Sequence, residues 1–135
     1  MTPQQQPPLS LISGQVRNAA YFLDLIPDMV LRVETFRTSW DIEDEEVMRV
    51  FAEQMRLIIR ALHGAVEAND TDGIRRQAHS LHGMGGTIGF PEISVVGEEL
   101  SRLSKRGDFE HCRHLIERLD RWQGDRDAAS ASNGI

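Results

Sequence analysis

Two histidines stand three residues apart at the head of a glycine-rich stretch: His79 and His82, followed by Gly83, Gly85, Gly86 and Gly89. Imidazole is the side chain whose charge changes near cellular pH, and its neutral nitrogen is a nucleophile toward phosphorus or an acyl group. The rest of an enzyme is missing around it. No serine or cysteine lies near His79 in sequence with an evident base and orienting group. No G-x-x-x-x-G-K-[ST] loop is present to cradle a nucleotide. These residues suit a reactive histidine displayed for a partner.

The element that must position this histidine is a helix from about Asp72 to Gly89. Ile74, Ala78, Leu81, Gly85 and Ile88 make its inward stripe. At about 100° per residue from Ile74, His79 lies near 140°, Gly83 near 180°, Gly86 near 120° and Arg75 near 100°. His79 therefore points outward, with Arg75 and Arg76 one turn before it and glycines one and two turns beyond. His82, near 80°, stands at the edge of the core stripe, which leaves open a half-buried packing histidine. Each glycine costs a helix about 1 kcal/mol against alanine. Periodicity and local propensity thus conflict here, as they do at functional surfaces. The glycines either let the backbone bend or let another surface come close.

Three further amphipathic helices surround this one. The first runs from about Asp44 to Asn69, with Val47, Phe51, Ile58, Ala61, Leu62 and Ala65 on one side and Arg49, Glu53, Arg56, Arg60 and Glu67 on the other. Asp41 or Asp44 caps its start, and Asp70 to Asp72 offer caps for the histidine helix. The third opens on Pro91, a favoured first-turn residue, buries Ile93, Val96, Leu100 and Leu103, and ends at Gly107. The fourth follows Asp108 and buries Phe109, Cys112, Ile116, Leu119 and Trp122. Short turns and the absence of a convincing strand pattern predict an all-α, antiparallel four-helix bundle with an additional N-terminal helical segment. In that segment Val16, Ala19, Leu23 and Ile26 keep helical spacing. Pro27 breaks or restarts the pattern, and Met29, Val33, Phe36 and Trp40 resume it, although Leu31 to Thr35 also alternates like a strand. Residues 1–13 read as a disordered lead, 14–123 as the bundle with its core at 44–122, and 124–135 as a flexible tail.

The motif Ala78-His79-Ser80-Leu81-His82-Gly83, followed by Gly85-Gly86-Thr87-Ile88-Gly89-Phe90, resembles the histidine phosphotransfer (HPt) domain, whose motif is approximately A-H-x-L-K-G with a second glycine beyond a small-residue stretch. Leu62 to Asp70, Ile74, Leu100 and Leu103 fall where that family places helix-packing positions, and the likeness covers about residues 44–122. The Gly-Gly-Thr-Ile-Gly-Phe run is also similar to the phosphotransfer domain of chemotaxis-type histidine kinases. The resemblance implies a four-helix bundle in which His79 accepts a phosphoryl group and Gly83 lets a receiver domain approach. It implies relay between receiver aspartates, or from a histidine kinase to a response regulator, with no autonomous kinase activity. The expected partner is the receiver of a response regulator or hybrid histidine kinase. Mg²⁺ is expected on that receiver, and no cofactor on this chain. One departure stands out: the family's lysine, which helps hold the phosphoryl group, is His82 here. Arg75 or Arg76 could compensate, and Gly86 extends the bare strip. The rival reading is a non-catalytic helical adaptor that binds or inhibits a response regulator through the same strip without phosphorylation.

Composition agrees with one globular domain. Hydrophobic residues make up 40% of 135, enough for one core without staples. The formal charge of −6 is a poor basis for nucleic-acid binding. The single cysteine, Cys112, excludes a disulfide scaffold and fits a reducing compartment. No 18-residue apolar run and no basic-then-apolar leader appear, so the expected location is cytoplasmic, without a membrane partner. His111-Cys112-Arg113-His114 invites a Zn²⁺ reading, but Cys112 falls on an inward stripe, and no metal site is expected. The acidic run Asp41 to Glu46 reads as a solvated helix start, favourable at the positive end of the helix dipole. The Met29 to Trp40 segment reads as a cover for the bundle, or alternatively as a homodimer surface.

Overall fold

The computed structural model describes residues 20–34 and 44–133. Among them stand five helices: α1 (Met29–Glu34), α2 (Glu45–Glu67), α3 (Thr71–Ile88), α4 (Pro91–Lys105) and α5 (Phe109–Asn133). No strand occurs among the described residues. The lead at 1–13 lies outside them, as do residues 14–19 and 35–43.

Local chemistry sets the helix ends. The Asp44 carboxylate accepts from the Val47 N–H at 3.0 Å, and Asp70 does the same for Gly73 at 3.0 Å, each satisfying an amide that the first helical turn leaves open. Pro91 opens α4 at its first turn. Gly89 closes α3 at φ 89°, in the left-handed region that favours glycine. The amides of Gly89 and Phe90 then both reach the Gly85 carbonyl, at 3.2 and 2.8 Å.

With links this short, α2 to α5 run as an antiparallel bundle. The helices α2–α3, α3–α4, α4–α5 and α2–α5 all pack together, closing a ring of four, and α3 meets α4 most extensively. The core holds Leu62, Ile74, Leu81, Ile93, Leu100, Ile116 and Trp122, all fully buried. Phe51, Phe90 and Trp122 cluster with ring centroids 5.1 to 6.3 Å apart. No helix among the described residues is long and apolar enough to cross a membrane.

The buried face of α2 is rotated from the expected one. Val47 and Ala61 are exposed, while Met55, Ile59 and Val66 are buried beside Phe51, Ile58, Leu62 and Ala65. The reason is that α2 covers two partners, α3 and α5, so its buried arc is broader than one stripe and centred elsewhere.

In the N-terminal segment, residues 20–25 form turns and the helix begins only after Pro27, at Met29. The strand-like alternation from Leu31 yields no strand within the described residues. Phe22, Ile26, Met29 and Val33 are buried, and α1 packs on α4.

The stretch from Gly124, expected as a flexible tail, is instead the continuation of α5 through Asn133. Side chains anchor it to the rest of the molecule. The Tyr21 hydroxyl donates to Asp125 at 2.5 Å, and Arg56 grips Asp127 with two bonds of 3.1 Å. The Arg126 guanidinium lies 4.2 Å from the Phe90 ring centroid.

Candidate functional site

The site is built on the outward face of α3, and its position depends on how closely α4 lies behind it. A Cβ placed on Gly97 of α4 would sit 2.5 Å from the Ala78 carbonyl and 2.8 Å from the His82 nitrogen. A Cβ on Gly85 of α3 would meet the Ser94 nitrogen at 2.5 Å and the Phe90 carbonyl at 2.8 Å. Both are closer than real Cβ atoms approach, so glycine alone allows the two backbones this near. The Ser94 hydroxyl then donates to the His82 carbonyl at 2.6 Å. Close packing therefore brackets the turn that carries both histidines.

His79 is exposed, as its helical phase predicts. It lines an open depression of about 510 Å³ with Asp72, Arg75 and Arg76 of α3 and Ser101 of α4. Arg75 and Arg76 are both exposed. Two cations against one carboxylate make this spot locally positive on a chain of net charge −6. That suits an anionic group arriving at the imidazole.

The glycines divide by role. Gly83 is exposed, and a Cβ there would meet nothing within 4 Å. It is bare surface one turn beyond His79. Gly86 is half-buried and turned toward α4, with Ser94 Oγ 3.7 Å from its Cβ position. Gly85 belongs to the helix–helix contact.

His82 is neither buried nor free-standing. Its side chain is 45% exposed, and its Nε2 lies 3.3 Å from Oε2 of Glu98 on α4. The other oxygen of Glu98 accepts from Arg32 of α1 at 3.0 Å, and Arg32 also donates to Glu99 at 2.9 Å. Arg102 pairs with Glu99 as well. His79 and His82 line a second, smaller depression of about 160 Å³ together with Glu98 and Ser101.

Glu98 and Ser101 escaped the sequence reading, as did Gly97. A glycine inside an otherwise good helix carries a propensity cost and is a sign of close approach. That signal was available for Gly97. Nothing local marks Glu98 or Ser101, because their role comes from which helix lies alongside.

The other histidine cluster forms a different arrangement. His111 Nδ1 lies 2.6 Å from the Asp108 carboxylate, and the His111 and His114 rings stand edge to face at 6.3 Å. Cys112 is buried, and burial pushes its thiol up to about 11. Among the described residues, no group of three or more His, Cys, Asp or Glu side chains could hold a metal ion.

The chain matches no curated protein and no solved structure. The family model of the Hpt domain matches residues 46–130. That span runs from the first turn of α2 through most of α5 and includes the extension beyond Gly124. It covers more than half of the 135 residues, and nearly all of the bundle, the exposed histidine and the glycine-bracketed turn lie inside it. The chain belongs to the Hpt domain family.

Proposed function

We propose that this protein is a phosphocarrier that takes a phosphoryl group onto His79 from the phospho-aspartate of a receiver domain and passes it to the next receiver. Histidine phosphotransfer in phosphorelays is what Hpt domains do in general. The observation that carries the reading to His79 is its setting. It is an exposed imidazole in an open, locally cationic depression, with bare Gly83 one turn away.

In this reaction the lone pair of a neutral imidazole nitrogen attacks phosphorus. The P–N bond forms as the bond from phosphorus to the aspartyl oxygen breaks. The aspartate leaves as a carboxylate, and the proton on the other ring nitrogen stays in place. Phosphoryl transfer asks little covalent work of the protein, so rate comes from positioning and charge. This chain supplies the nucleophile, the flat approach over Gly83, and the Arg75 and Arg76 guanidinium groups near the incoming oxygens. Any Mg²⁺ would belong to the receiver in this reading, where it would supply charge neutralisation for the phosphoryl group.

The test is transfer of label from a panel of phosphorylated receiver domains. Wild-type protein is expected to take label from at least one receiver, and His79→Gln from none. Receivers that bind both proteins while labelling neither would instead make the chain an adaptor.

A further inference from the structure

The residue at position 82 raises a question that the proposed function leaves open. An imidazole is shorter than a lysine side chain and has fewer directions in which to present a proton. Its usefulness near an arriving phosphoryl group depends on where the ring is held. The structure shows a carboxylate beside it. Glu98 Oε2 lies 3.3 Å from His82 Nε2, while Glu98 Oε1 accepts from Arg32 at 3.0 Å. Arg32 is itself fixed, since its other terminal nitrogen donates to Glu99 at 2.9 Å and Glu99 is only 8% exposed. One carboxylate thus joins α1 to the imidazole one turn from His79. Both imidazoles and Glu98 line the same small depression.

We propose that Glu98 is a positioning residue of this face: held by Arg32 through one carboxylate oxygen, it holds the His82 ring through the other, so that the N-terminal helix sets where His82 stands when a phosphoryl group reaches His79. The inference rests on the proposed function for its consequence, but the linkage itself does not need it. An exposed ion pair alone contributes little to stability. The Arg32–Glu98–His82 chain differs in being anchored at its far end in a nearly buried carboxylate. The guanidinium can serve Glu98 and Glu99 at once because its donors form a planar fork. In this arrangement α1 is more than a cover for the bundle, because its seating on α4 reaches the transfer face.

The experiment uses the full chain with two readouts. The first is the ring nitrogen and proton resonances of His82 by NMR, in wild type, Glu98→Gln and Arg32→Gln. The second is the rate of label transfer to His79 at saturating receiver. Glu98→Gln changes a side chain that is 40% exposed, so the fold should persist, and amide spectra check this. The expected result is that both substitutions shift the His82 ring resonances, and that each slows transfer roughly fivefold while receiver affinity stays the same. In a His82→Ala background, neither substitution should slow transfer further, a pattern that a merely structural role would not produce. Unmoved His82 resonances in Arg32→Gln would overturn the linkage. Moved resonances with unchanged transfer would overturn the positioning role. Failure of the proposed function would show separately, as a wild-type protein that no receiver labels, and the NMR readout would still decide the linkage.

Discussion

The α-carbon of Gly97 faces the Ala78 carbonyl so closely that a Cβ would lie 2.5 Å from that oxygen. Ala78 immediately precedes His79, so this contact between α4 and α3 fixes the backbone of the turn that displays the imidazole. Gly97→Ala must push the two helices apart, because the His82 nitrogen at 2.8 Å and the Leu81 Cβ at 3.2 Å close the remaining directions. We expect a loss of about 1–3 kcal/mol, measured as a lower urea midpoint. An unchanged midpoint would mean that α4 does not seat as described.

Gly83 should behave in the opposite way. A Cβ there meets nothing within 4 Å, and alanine is the better helix former by about 1 kcal/mol. Gly83→Ala should therefore raise the thermal midpoint slightly. A bulky residue such as Gly83→Tyr should fold yet slow transfer from a receiver, because it fills the bare approach beside His79. The informative comparison is stability against transfer rate for both variants. Equal transfer by wild type and Gly83→Tyr would remove Gly83 from the docking face.

Acid should weaken the fold through a defined set of carboxyls. Burial pushes the Glu99 carboxyl up, but the bonds from Arg102 and Arg32 outweigh it and hold the group below its ordinary value. Arg118 lowers Asp24 in the same sense, as the bond from His111 lowers Asp108. A carboxyl depressed in the folded state stabilises it above the unfolded-state value, and this contribution is lost as pH falls through the folded one. Stability should hold down to about pH 4 and decline below it. Glu99→Gln should cost on the order of 2 kcal/mol at pH 7, and the difference from wild type should shrink as Glu99 itself becomes protonated. Urea titrations at pH 7 and pH 3 check both statements. A difference that grows in acid would contradict the assigned sign.

Cys112 should be inert in the native protein. It is fully buried on α5, and burial raises its thiol to about 11, so little thiolate is available at pH 8. A colourimetric disulfide reagent should react slowly in buffer and rapidly in urea. Fast native labelling would show that α5 opens locally near this residue.

Much of this architecture is legible in the residues. The phase of Ile74, Ala78, Leu81 and Gly85 places His79 outside and Gly85 inside, and Asp44, Asp70 and Pro91 mark helix starts, because these depend on a few neighbouring residues. What is less legible depends on distant partners. The buried face of α2 departs from its simple helical phase at Val47 and Ala61 because that helix answers to two neighbours at once. The small polar residues after Gly124 carry no apolar stripe, yet they continue α5. The reasons lie at Tyr21, Arg56 and Phe90, far away in sequence. Glu98 gains its meaning from Arg32, 66 residues earlier, and no local pattern announces such a pairing.

In the proposed relay one imidazole among five histidines carries the phosphoryl group. The most direct measurement is to phosphorylate the protein from a receiver domain and locate the group by mass spectrometry under alkaline conditions, which preserve phosphohistidine. The expected result is a single N-phosphorylated residue, His79, in wild type and no phosphohistidine in His79→Gln. Phosphorylation at His63, His82, His111 or His114, or an unchanged yield in His79→Gln, would contradict it.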